Sequence, residues 1–231
     1  MNWHNFLYGV YPYIALTIFL LGSLLRFDRE QYTWKSDSSQ LLSKKHLRLA
    51  SNLFHIGIIA IFFGHLAGLV IPPTVFNALG ISDMDHQYIA IIAGTVFGSL
   101  CLVGSVMLLL RRMFVRRVRV NSRFMDFFIL FWLLVTLILG LSTIPTSIHH
   151  AQANDPGTML LLAEWVRSVL SFQADATILT NVDTIFKVHL FFGMTVFLLF
   201  PFSRLVHIWS APFGYLVRSY QIVRTKRQNS I

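Results

Sequence analysis

Five long apolar runs, separated by short polar or basic segments, dominate the chain. A helix crossing the roughly 30 Å hydrocarbon core of a bilayer needs about 20 mostly apolar residues. The runs over about 6–25, 49–71, 88–110, 127–144 and 184–209 meet that length. Pro72 and Pro73 close the second, and Arg111 and Arg112 close the third. The pattern predicts an all-α integral membrane protein, a single five-transmembrane-helix bundle occupying residues 1–231. The fifth run is the least lipid-like, because it contains Lys187, His189, Pro201 and His207, polar groups that must face protein or cofactor. Between the fourth and fifth runs, Thr158 to Phe172 sets Leu161, Leu162, Trp165, Val169 and Phe172 on one helical face. Glu164, Arg167, Ser168 and Ser171 take the other face. This predicts a short amphipathic outer helix, either lying on the membrane surface or packed on the bundle.

Composition agrees: 55% of residues are hydrophobic and 13% charged, with a mean hydropathy of +0.62, which excludes an ordinary soluble domain. Basic residues outnumber acidic ones 19 to 10. A surplus of that size can signal nucleic acid, so its placement decides. Arg26, Arg29, Lys35, Lys44, Lys45 and Arg48 follow the first run; Arg111, Arg112, Arg116, Arg117, Arg119 and Arg123 follow the third. Arg204, Arg218, Arg224, Lys226 and Arg227 end the chain, so one side of the membrane takes 17 of the 19. The positive-inside rule then puts the amino terminus outside and the carboxyl terminus in the cytoplasm, with lipid rather than nucleic acid as the partner. The single cysteine, Cys101, excludes an internal disulfide and an iron–sulfur cluster held by this chain alone. No C-x-x-C-H run is present, which excludes a covalently attached c-type haem. The amino terminus lacks a basic n-region and cleavage site, so the first run is expected to stay in the mature protein.

Of nine histidines, four lie within apolar runs: His55 and His65 on the second, His189 and His207 on the fifth. The two helices run in opposite directions. Matching levels pairs His55 with His207 on the cytoplasmic side and His65 with His189 on the outer side, and each pair can clamp a haem iron axially. The 18-residue spacing of His189 and His207 equals five full turns, so both are expected to project from one face of the fifth helix. His55 and His65 would lie roughly 80° apart, and the two axial rises would differ by ~12 Å, to be absorbed by tilt or distortion. A structural cluster of polar side chains stays open beside the two haems, while zinc is disfavoured because no carboxylate or cysteine stands beside these histidines. Gly57, Gly64, Gly68 and Gly193 would let a macrocycle approach the backbone, though glycine serves helix crossings equally. Arg204 could pair with a haem propionate or simply be a helix-end arginine. Asp83, Asp85 and His86 could take protons at the outer surface. His149 and His150 are expected to face water, and His4 and His46 show no evident partner.

The runs YPYI (Tyr11 to Ile14), QYTW (Gln31 to Trp34), SNLFHIG (Ser51 to Gly57), GH (Gly64, His65) and FPFSRLVHIWS (Phe200 to Ser210) occur in family order along the whole chain. By them the sequence resembles the gamma, cytochrome b, subunit of membrane-bound respiratory nitrate reductase. The last run is the specific one; the two-residue piece is weak alone. The resemblance implies five transmembrane helices and two b haems in a multi-pass protein of the prokaryotic cytoplasmic (inner) membrane. It implies oxidation of membrane quinol, with electrons passing to an iron–sulfur beta subunit and then to a molybdenum-containing alpha subunit that reduces nitrate. It assigns His55 and His207 to the inner haem iron and His65 and His189 to the outer one. The family's quinol pocket corresponds to Gly64, His65 and a loop lysine of the enterobacterial member, aligned here with His86. Histidine can hydrogen-bond a quinol oxygen and accept its proton, but it departs from the family's lysine at that contact.

The implied order is quinol oxidation near the outer haem, proton release outside, and single-electron transfer inward. The basic loops would dock the partner subunits, with Tyr32 and Trp34 buried there. Two rivals remain: a related dihaem cytochrome serving a heterodisulfide-reductase-like or sulfite-linked complex, and a haem-free membrane anchor or small transporter.

Overall fold

A computed structural model describes residues 2–30, 32, 34 and 47–210. The readings made above for His46, for the lysines of the first basic loop and for the basic tail lie outside these residues. Five helices are long and apolar enough to cross a membrane: α1 (Trp3–Arg29), α2 (Leu47–Val70), α3 (Asp83–Phe114), α4 (Phe124–Gln152) and α5 (Thr184–Phe202). The fold is all-helical among the described residues, as the periodicity predicts. Helices α3 and α4 begin ahead of their apolar runs, each behind a polar capping pair. Ser82 caps α3 through a reciprocal pair with Asp85, in which the Ser82 hydroxyl accepts from the Asp85 amide.

Close helix contacts run in the order α2, α3, α4, α5, α1. Glycines set the tightest crossing. A Cβ on Gly57 of α2 would come within 2.6 Å of the Cys101 Cβ and 2.7 Å of the Phe97 carbonyl. One on Gly104 of α3 would strike the Phe54 amide. Helices α2 and α3 therefore touch backbone to backbone, while α2 and α5 face each other across the bundle.

The amphipathic segment forms a helix over Gly157–Leu170 that packs on the bundle. Trp165 and Val169 join Tyr8, Leu179, Val182 and Phe186 in a buried apolar cluster. A π-turn over Phe6–Val10 presents the Tyr8 carbonyl to the Trp165 Nε1–H at 3.0 Å, and the Tyr8 hydroxyl donates to the Lys187 carbonyl at 3.0 Å. Phe172 departs from the expected face: it lies past the helix end at φ 60° and is exposed, stacked on Tyr13. Asp175 opens the next turn, Ala176–Leu179, and hydrogen bonds from the Thr177 hydroxyl and amide hold its carboxyl below the usual carboxylate range.

One expectation about the fifth helix is corrected. Regular α-helix ends at Leu199, and Pro201 sits in a 3₁₀ turn over Phe200–Phe202. A separate 3₁₀ segment, Arg204–Ser210, follows. Proline lacks the amide that would continue the ladder. His207 therefore does not share a straight helix face with His189. Gly22 of α1 makes room for this break, since a Cβ there would meet the Pro201 ring at 2.8 Å.

Candidate functional site

The bundle brings the four histidines together in the expected pairs. The His65 and His189 ring centroids are 6.1 Å apart, and those of His55 and His207 are 6.5 Å apart. Two imidazoles sharing one metal atom from opposite sides, each nitrogen about 2 Å from it, have centroids about 6 Å apart.

Each ring is also oriented by its second nitrogen. His55 Nδ1 lies 2.7 Å from the Ser51 carbonyl, and His65 Nδ1 lies 2.9 Å from the Ile61 carbonyl, both one turn back on α2. His189 Nδ1 lies 3.1 Å from the Thr136 carbonyl of α4, and His207 Nδ1 lies 2.5 Å from the Arg204 carbonyl. A carbonyl only accepts, so Nδ1 carries the proton in all four rings. The lone pair is then on Nε2, the form of neutral histidine that ligates a metal.

The backbone beside one pair is open. A Cβ on Gly64 or on Gly193, one turn after His189, would meet nothing within 4 Å. Gly140 of α4 is the opposite case: its Cβ would lie 2.9 Å from His189 Cε1, so glycine is what lets the ring stand there. Among the described residues, no three His, Cys, Asp or Glu side chains gather to hold a metal ion. Histidines gathered in pairs, with no third ligand beside them, suit a group that brings its own nitrogen donors, as haem does. The donor set therefore fits two haems.

At the same end as the His65 pair, His86 lies on the first turn of α3 rather than in a loop. Its ring stacks on Phe76 with centroids 4.2 Å apart, and Nε2 lies 3.4 Å from where a Gly68 Cβ would be. Gly68 is one turn from Gly64, so His86 reaches the same helix as Gly64 and His65.

Three polar residues behave differently from their sequence reading. Arg204 is paired with Asp126 of α4, its Nε donating to Oδ1 at 2.9 Å and its Nη2 lying 2.6 Å from Oδ2. Asp126, buried near the start of an apolar run, stands apart from the histidine pattern. A carboxylate in a membrane helix demands partners, and that was the signal. His150 does not simply face water: its Nε2 is 2.9 Å from the Asp183 carboxylate. His4, expected to lack a partner, hydrogen-bonds the Ala176 carbonyl through Nε2 at 2.7 Å.

The sequence description of the nitrate reductase gamma subunit family matches residues 4–226. The respiratory nitrate reductase 2 gamma chain of Escherichia coli is 48% identical over 223 residues, covering 96% of this chain and 97% of its own. The respiratory nitrate reductase 1 gamma chain of the same organism is 48% identical over 222 residues, covering 96% and 97%. The nitrate reductase gamma chain of Bacillus subtilis is 38% identical over 220 residues, covering 95% and 97%. With five bilayer-length helices, the chain is a multi-pass bacterial membrane protein. Full-length agreement in both directions, on a bundle carrying both histidine pairs, makes this chain a member of the nitrate reductase gamma subunit family.

Proposed function

We propose that this gamma subunit oxidises membrane quinol and delivers the electrons, through two b haems, to an iron–sulfur subunit and onward to a molybdenum subunit that reduces nitrate. The observation that carries this reading is the pair of imidazoles at each of two levels, with ring centroids 6.1 and 6.5 Å apart and every Nδ1 committed to a backbone carbonyl. When bound, the haems supply single-electron transfer between the two levels.

The chain's own residues do the rest. His55 and His207 would ligate one haem iron, His65 and His189 the other. Gly64 leaves open space beside His65, and His86, stacked on Phe76, would hydrogen-bond a quinol oxygen and take its proton. By the positive-inside rule the His65 and His189 level would lie near the outer face, where that proton would leave, and the His55 and His207 level toward the cytoplasm. Arg204 would serve a propionate of the inner haem only alongside its contact with Asp126. The basic segments would dock the partner subunits, with Trp34 held at that face by a bond from its Nε1 to the Ser210 hydroxyl at 2.5 Å.

The test is a reduced-minus-oxidised spectrum with a pyridine haemochrome titration of the purified chain, with menaquinol or ubiquinol as reductant. Two b haems per chain, reduced by quinol, are expected. A chain purified without haem would sink the assignment and leave a haem-free anchor in its place.

A further inference from the structure

The two histidine levels are fixed by different means, and one of them depends on a carboxylate that touches neither imidazole. His207 is carried by a 3₁₀ segment of seven residues, Arg204–Ser210, beyond the Pro201 break. Its Nδ1–H is donated to the carbonyl of Arg204, the first residue of that segment. Where the Arg204 backbone sits therefore decides how the His207 ring is tilted and where Nε2 points.

The Arg204 side chain is gripped by Asp126. Guanidinium and carboxylate meet in a two-pronged contact, Nε to Oδ1 at 2.9 Å and Nη2 to Oδ2 at 2.6 Å. Such forks fix orientation as well as distance. Asp126 is itself held: it is only 9% exposed, its Oδ2 accepts from the Arg123 amide at 3.0 Å, and Arg112 Nη1 of α3 lies 3.3 Å away. On the far flank, Arg26 of α1 donates through Nη1 to the Pro201 and Ser203 carbonyls at 2.6 and 2.8 Å.

We propose that Asp126 is the positioning residue of the His55 and His207 pair: through the Arg204 fork it sets the backbone carbonyl that orients the His207 imidazole. This rests on the haem reading above. The other level makes the internal reference, because His189 is oriented by the Thr136 carbonyl within regular α4, beyond the reach of Asp126. Asp126 lies on the first turn of α4 and Thr136 ten residues farther along it.

The experiment uses the full chain purified with its complex, unsubstituted and as Asp126→Asn, Asp126→Glu and Arg204→Lys. Haem per chain, the low-spin bis-imidazole signals of the two centres and their midpoint potentials are measured. Outer partners of metal-bound histidines typically change metal affinity about 10- to 100-fold. Asp126→Asn is expected to weaken retention of the haem between His55 and His207 by about that factor, or to perturb its spectrum and potential, while the second haem is unchanged. Asp126→Glu restores the wild-type signature. Arg204→Lys, which keeps the charge and loses the fork, perturbs the same haem. Two unaltered haems in Asp126→Asn would overturn the positioning role, as would parallel loss of both, which marks a general packing defect. No haem in the unsubstituted chain would overturn the haem reading itself, and this inference with it.

Discussion

The level of His65 and His189 and the level of His55 and His207 present nearly the same ring separation, 6.1 against 6.5 Å, from opposite kinds of scaffold. The first is built by apolar packing. His65 and His189 project from regular α2 and α5, and near the start of α5 the helix Gly157–Leu170 seals Phe186 and Val182 under Trp165 and Val169. The second is built by charge. There Pro201 has broken the helix, and the carbonyls it leaves without intrahelical donors must be met by other groups. Arg26 meets the Pro201 and Ser203 carbonyls at and beyond the break, and the Asp126 and Arg204 pair ties the following segment to α4. The basic residues that topology concentrates at this end thus also satisfy a non-helical backbone. Irregular backbone at membrane depth is tolerated only where protein satisfies it.

Substituting the ligands should separate the levels most strongly. His207→Ala is expected to remove one b haem and leave the other, and His65→Ala to do the reverse, each abolishing quinol-linked nitrate reduction. A haemochrome titration and quinol-dependent activity check this, and retention of both haems in either variant would break the pairing. A smaller, one-sided effect is expected from Gly140→Ala. Its Cβ would stand 2.9 Å from His189 Cε1, so the ring must move and only the His65 and His189 haem should lose affinity, by about 10-fold. Equal change in both haems would show that the levels are coupled.

Arg26→Met should act at the other level and through stability. Two carbonyls lose a charged donor, costing about 2–3 kcal/mol, read as a lower thermal midpoint of the purified chain. Trp165→Phe keeps most of the apolar surface and loses the bond to the Tyr8 carbonyl, for about 1 kcal/mol in the same assay. If Trp165→Phe proved the more damaging of the two, the contrast between an apolar and a charged scaffold would fail.

Much of the architecture was legible in the sequence, because a bilayer imposes a length and an apolarity on every crossing and Gly, Pro and Arg punctuate the ends. The pairing of His55 with His207 and His65 with His189 followed from helix direction and level alone. What pattern could not reach was anything depending on contacts distant along the chain. Asp126 reads as a lone acid until Arg204, 78 residues later, closes on it. His150 reads as a loop histidine until Asp183 meets it, and Gly140 reads as a small residue in an apolar run until His189 is seen against it. The fifth run shows the boundary most clearly. Its hydropathy continues through Pro201 to Trp209, so periodicity extends the helix. The backbone instead turns, because Gly22 leaves space for the proline ring and Arg26 takes up the carbonyls. By itself the sequence determined the five crossings, the charge asymmetry and the four histidines at two levels, since those depend on local polarity and spacing. Only the tertiary structure decided how each imidazole is aimed, because aim depends on backbone carbonyls and ion pairs supplied by other helices.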